Sequence, residues 1–257
     1  MARRFLFLVT VFLLAVFLTK CVRAVKGEAS FNGRLRGDKV VRVLNNMNDF
    51  GRLRISSRGG LTSTSLQAAQ IIQLKKINIV IKKYCISGCA EKILPAASKV
   101  SFIDDPIIGF HQNILSSRYA VKSYAGDYNK YCNWLYARET EQLYSSSGHN
   151  VLFWQETMKR LKPEFSFDYA PKKCPKTKYV FENQLWLPAS DQLSELLGLK
   201  FSGSVCADDF EKCKKKVDRS WGVGTRIVIG DEIYISKGHW TDKVVVFLIA
   251  GLSGGYK

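Results

Sequence analysis

The stretch Ile77-Asn78-Ile79-Val80-Ile81 is an almost continuous apolar run of strand length. A strand with one wet face alternates apolar and polar residues. A run such as this suits a strand covered on both sides, the condition of a parallel sheet flanked by helices. The segments before it agree. Residues 29–47 read as a short strand, a glycine turn and a helix from about residue 38, with Val40, Val41, Val43 and Leu44 facing inward. Residues 51–60 read as a strand closing on the pair Gly59-Gly60. In residues 61–76, Leu66, Ala69, Ile71 and Ile72 recur at helical spacing, and Lys75 and Lys76 fall in the last turn, where cations favour the helix dipole. Strand, helix, strand, helix, strand is the alternation of an α/β fold.

Downstream, residues 98–103 and 106–111 are two short strand candidates, and residues 121–162 read mostly as helix. Residues 171–178, with two prolines among four lysines, read as a loop. Ser190 and Gly198 suit the N-cap and C-cap of a short helix. Residues 226–236 are two β-rich runs joined by Gly230-Asp231, a two-residue hairpin signal, and residues 243–252 suit one more strand. This organisation implies an α/β domain over 25–202 and a small β-rich extension over 203–257.

The first 24 residues stand apart. Arg3 and Arg4 precede the uncharged apolar run 5–18, and Val22-Arg23-Ala24 fits a small-residue cleavage site. That is the layout of a secretory signal peptide, with an uncleaved anchor as the alternative. A bilayer span needs about 20 apolar residues, and this run falls short. Beyond residue 24 lie six cysteines: Cys85, Cys89, Cys132, Cys174, Cys206 and Cys213. An even number in an exported chain argues for disulfides. Cys85–Cys89 and Cys206–Cys213 are the natural local pairs, although Cys85 and Cys89 could instead reach distant partners such as Cys132. With three histidines and no paired CxxC knuckle, no metal is expected. The net charge of +17 suits attraction to an anionic envelope surface. Nucleic acid is not an expected partner of an exported chain lacking any binding motif.

Ser87 follows the buried strand directly, where a helix should begin. A helix N-terminus offers unpaired N–H groups and partial positive charge, a setting able to hold a serine and to stabilise an oxyanion. A hydroxyl is a weak nucleophile without a base. Of His111, His149 and His239, the first ends a neighbouring strand and is best placed to serve. Gly59 and Gly60, at the end of another strand, can direct backbone N–H groups at the same point.

The sequence "LRISSRGG", then Ser87 in a small-residue turn, then "GFHQ" is similar to the Clp protease/crotonase superfamily, and in particular to the exported Clp-like proteins of bacteria, with their Cys-x-Ser-x-Cys turn and Gly-Phe-His strand. The resemblance covers about residues 29–115 and, more weakly, 184–200. It implies a ββα superhelix in which Ser87 is the nucleophile and His111 the general base. The amides of Gly88 and of Gly59 or Gly60 would form the oxyanion hole. Two departures stand out. Where the family carries its triad acid, this chain has Asn183 or Gln184, with Glu182 adjacent and Asp168 a further candidate. Arg58 replaces the proline usual in the peptidases.

The expectation is an exported serine hydrolase acting on peptide or protein substrates, without a cofactor and with self-association implied by the resemblance. The missing acid favours the rival reading, a non-catalytic Clp-fold binding or scaffold protein of the cell envelope. A crotonase-type acyl-CoA enzyme fits poorly, because CoA thioesters are cytoplasmic. Cys85 and Cys89 read as rigidifiers of the serine turn.

Overall fold

The computed structural model describes residues 26–111, 134–148, 152–161, 163–168, 176–181 and 184–238. The leader, Cys132, Cys174, His149, His239, Glu182, Asn183 and the apolar run 243–252 lie outside them.

Five strands form a parallel sheet in the order β1 (Lys26–Asn32), β2 (Met47–Ser57), β3 (Asn78–Ile86), β4 (Lys99–Phe102) and β9 (Phe201–Ser202). The apolar run that anchors the sequence reading is the first half of β3, and Ile79 and Ile81 are fully buried. β3 is served in two halves: Asn78–Ile81 pair with β4, and Tyr84–Ile86 pair with β5 (Ile107–Gly109), also parallel. The expected helices cover the sheet. α1 (Lys39–Asn45) buries Val40, Val41 and Leu44, with Val43 packed at the margin. α2 (Thr62–Leu74) buries Leu66, Ala68, Ala69 and Ile72. The larger of these side chains contribute roughly 1.5–3 kcal/mol each by leaving water. Lys75 acts on a different helix end from the one its position suggests. Its Nζ donates to the carbonyls of Leu44, Asn45 and Met47, at 3.1, 2.8 and 2.7 Å, and so satisfies the C-terminus of α1.

Both described parts of the stretch 121–162 are helical: α3 (Trp134–Ser146) and α4 (Leu152–Leu161). They bring Tyr144 and Phe153 into the core. Phe153 packs on Phe110 at 4.7 Å and on Trp186 at 5.4 Å between ring centroids. An antiparallel ribbon follows, β6 (Pro163–Asp168) with β7 (Lys176–Phe181). The expected loop over 171–178 is therefore shorter, since Lys176–Lys178 belong to β7. Phe165 and Phe167 alternate with polar residues at the strand period of two, a weaker signal than the Pro and Lys punctuation beside it.

A small mixed sheet near the C-terminus has the order β11 (Glu232–Ile235), β10 (Arg226–Ile229), β8 (Leu185–Leu187). The hairpin at Gly230-Asp231 forms as expected, with Gly230 at φ 59°. β8 runs parallel to β10 and ties this sheet to the first through Phe110, whose N–H and C=O both bond Trp186. α5 (Ser190–Leu197) ends at Gly198 in the left-handed conformation, as expected. Its start differs: Ala189 is the N-cap, and Ser190 instead bonds Asp208 through its N–H and hydroxyl, at 2.6 and 2.5 Å. A turn bridged by Asp208 prevails over local capping here, because that carboxylate also serves Val205 N–H at 2.8 Å. α6 (Phe210–Asp218) is capped by Asp209. Disulfides join Cys85 to Cys89 and Cys206 to Cys213, consistent with an oxidising compartment.

Candidate functional site

The carboxyl ends of parallel strands are where open α/β sheets bind ligands, and Ser87, Gly88, Gly59, Gly60 and His111 lie there. Ser87 is the first residue after β3, one position before the Gly88 cap of a π-helical turn, Cys89–Ile93. Its N–H donates to Gly109 O at 3.0 Å, and its C=O accepts from Glu91 N–H at 2.8 Å. Its φ is 56°, in the left-handed region that side chains other than glycine avoid by about 1–2 kcal/mol. The sequence Ser-Gly suggests that the glycine would take such a conformation. Gly88 instead has an ordinary φ of −51°, and the strain falls on the serine. A sharp strand-to-helix turn of this kind lifts a hydroxyl clear of the backbone. Ser87 is half-buried.

The glycines are required by space. β2 pairs with β3 up to Ser57 beside Cys85, so residues 58–60 run alongside 86–88. A Cβ on Gly59 would lie 2.5 Å from Ser87 Cβ and 2.7 Å from Ile86 O, and φ at Gly59 is +80°. A Cβ on Gly88 would fall on the Ser65 hydroxyl. Of the pair Gly59-Gly60, the Gly59 N–H is taken by Ser57 Oγ at 3.1 Å. The N–H groups of Gly60 and Gly88 bond no described residue. They lie close together: the Cβ position of Gly88 is 3.9 Å from Gly60 N. Two unpaired amides lying close together beside a strained serine suit a cradle for negative charge.

His111 follows Phe110, which is held between β3 and β8, so Ser87 and His111 occupy the same ends of adjacent parallel strands. The imidazole residue is half-buried. β8 runs antiparallel to this segment, which sets Gln184 on the His111 side of the Phe110–Trp186 bridge. Gln184 is exposed and its N–H donates to Arg226 O at 2.8 Å. Asp168 pairs with Lys176 at the end of the β6–β7 ribbon, which among the described residues forms a sheet of its own.

Two arrangements at the site go beyond what the sequence suggests. Arg58 stacks its guanidinium over Tyr84 at 5.4 Å and Trp221 at 5.8 Å and donates to Ser220 O at 3.2 Å, tying the glycine loop to the segment after α6. Beneath the serine, Glu91 and Lys92 form a buried ion pair at 3.1 Å. Glu91 Oε1 has no hydrogen-bond partner among the described residues, and the Tyr144 hydroxyl donates to the Glu91 carbonyl at 2.7 Å. Burial, and then the Glu91 charge, hold the Tyr144 phenol well above its ordinary range. A run of Cys-Ala-Glu-Lys-Ile offers no periodic cue that both charges turn inward.

No family model matches this sequence, and no curated protein does.

Proposed function

We propose that the protein is an exported serine hydrolase of Clp/crotonase-like architecture, most closely a peptidase, with Ser87 as nucleophile and His111 as general base. The observation that carries this reading is the left-handed Ser87 packed against Gly59, with the open amides of Gly60 and Gly88 beside it. In the reaction, Ser87 Oγ attacks a carbonyl carbon while His111 takes the hydroxyl proton. The amides of Gly60 and Gly88 receive the charge that develops on the carbonyl oxygen. Collapse of the tetrahedral intermediate expels the amine, which leaves with the proton from His111, and water then hydrolyses the acyl-enzyme by the same steps. The cysteine pairs and the leader-like first 24 residues support an exported setting. Anionic envelope surfaces suit its charge, and self-association follows from the family likeness.

Gln184 favours the second reading, a binding or scaffold protein on the same fold. An amide can orient an imidazole but cannot stabilise imidazolium by charge, and a serine protease whose triad Asp is changed to Asn loses about 10⁴-fold in turnover. A fluorophosphonate probe separates the two. Covalent mass addition to the wild type that vanishes in Ser87→Ala supports the hydrolase, and no labelling of the wild type favours the scaffold.

A further inference from the structure

The rim of the site on the Gly59-Gly60 side is built from arginines. Leu35 bridges Gly60: its N–H donates to Gly59 O at 2.9 Å, and its C=O accepts from Leu61 N–H at 2.8 Å. Leu35 is fully buried, while Arg34 and Arg36, on either side of it, are exposed. The Arg36 N–H donates to Arg34 O at 2.9 Å, closing a tight turn with the buried Leu35 at its centre and the two exposed arginines on its arms. Arg58, the residue before Gly59, adds a third guanidinium. Among the described residues neither Arg34 nor Arg36 makes an ion pair. The nearest acid in sequence, Asp38, is taken by Arg42 at 3.2 Å.

The other flank of Ser87 differs. Beyond β4, Asp104 pairs with Lys82 at 3.4 Å, Asp105 pairs with Lys212, and Lys216 donates to the carbonyls of Asp104 and Asp105. Cations there are matched by acids and carbonyls. Among the described residues the two flanks are thus electrostatically lopsided, with open charge on the side where Leu35 and Gly60 bring Arg34 and Arg36 next to the serine.

From this juxtaposition we infer that the site selects acidic peptides, with Asp or Glu side chains near the scissile bond received by Arg34 and Arg36. Arg58 is already stacked and bonded, so it contributes its charge and the position of the glycine loop. The inference rests on the hydrolase reading for its scissile bond, while the recognition of acidic side chains does not need catalysis. Arginine suits the task, since its planar fork meets a carboxylate through two N–H bonds. A peptide fits the place better than a membrane does, because the two arginines flank a buried leucine in a single tight turn and do not lie along a helix face.

The test has two arms. With full-length protein, fluorogenic peptides bearing Glu on both sides of the cleaved residue are compared with their Gln counterparts. The Glu peptides should be turned over with about five- to tenfold higher kcat/KM at low salt, and the preference should fade toward unity as added salt shortens the screening length. The double variant Arg34→Gln/Arg36→Gln should lose it, and Arg34→Glu/Arg36→Glu should invert it. In the second arm, calorimetry on Ser87→Ala compares binding of the same peptides, where the Glu peptide should bind about fivefold tighter, and only while both arginines remain. Equal handling of Glu and Gln peptides in this arm overturns the inference, as does a preference that survives loss of both arginines. So does charge reversal that abolishes binding to phosphatidylglycerol vesicles while leaving peptide binding unchanged. Absence of Ser87 labelling and turnover, with acid-selective binding intact, would instead remove the hydrolase reading and leave this recognition standing.

Discussion

Among the described residues, two short turns are closed by disulfides, and they are built for opposite ends. Cys85–Cys89 closes a loop around Ser87, and Cys206–Cys213 closes the turn that leads into α6. Chain-entropy stabilisation is nearly the same for both, about 2–2.5 kcal/mol each from loop size. The difference lies in what each bond encloses. Around Cys206, polar groups are matched: Asp208 accepts from Ser190 and Val205, and Asp209 caps α6 through Lys212 N–H at 2.9 Å. Around Cys85, a serine sits in the left-handed region and two amides lie open. A buried carboxylate oxygen under the turn has no partner among the described residues. Strain and unmet hydrogen bonds persist only where surrounding structure enforces them. The same covalent device therefore stabilises a finished structure in one place and holds an unfinished one in the other.

The sharpest way to break this contrast is through glycine. Gly59 and Gly224 both have left-handed φ values, +80° and +82°. An alanine at Gly59 meets Ser87 and Ile86 within 2.7 Å, whereas one at Gly224 meets nothing within 4 Å. Gly224→Ala should lose about 1–2 kcal/mol for its dihedral alone. Gly59→Ala should lose about 3 kcal/mol or more, adding steric strain, and should displace the proposed nucleophile. Urea denaturation measures both. Equal losses would show that the serine turn is no tighter than the loop before β10.

A smaller effect comes from the disulfides. Cys85→Ala/Cys89→Ala and Cys206→Ala/Cys213→Ala should each lower stability by about 2 kcal/mol. Only the first should also slow fluorophosphonate labelling of the folded protein, by roughly tenfold or more, since a small displacement of a reacting group is enough for such a change. Equal labelling rates for the two variants would mean that the Cys85–Cys89 bond does not position Ser87.

Much of this contrast is legible in the sequence. Apolar runs and glycine pairs locate β2, β3, α1 and α2, because burial on both faces leaves little freedom in residue choice. The local cysteine pairs emerge from spacing, and the Gly230-Asp231 hairpin from turn chemistry. What stays hidden is decided by contacts between distant segments. That Gly88 is needed for space and not for its φ depends on Ser65, which fills the place a side chain there would take. The burial of Glu91 and Lys92 depends on packing that no local period announces. Lys75 suits the end of its own helix by position, yet it reaches α1 because the two helices end side by side. Arg58 is, in sequence, only a departure from a family pattern, and its partners, Tyr84 and Trp221, lie 26 and 163 residues away.

The smallest effect probes, by pH, the helix that the finished turn leads into. In β11, the Tyr234 hydroxyl donates to both oxygens of Asp218 at 2.8 Å, and Asp218 also accepts from Lys237 N–H at 2.8 Å. Burial first, then the bond to Asp218 and its charge, push the phenol from 10.0 to about 12. The folded protein thus prefers the neutral phenol more strongly than the unfolded chain does. A group whose folded value is raised contributes its stabilisation fully below the unfolded value and loses it as pH climbs through the folded one. Wild type should therefore exceed Tyr234→Phe by about 1 kcal/mol near pH 8, and the gap should close between about pH 10 and pH 12. Thermal melts of the two proteins at matched pH values measure that gap directly, and other groups titrating in the range cancel in the difference. Labelling at Ser87 should be the same in both. A gap that is constant with pH would show that the Tyr234–Asp218 bond is not the source of the stability, and a change in labelling would show that the end of α6 is coupled to the serine turn through Trp221 and Arg58.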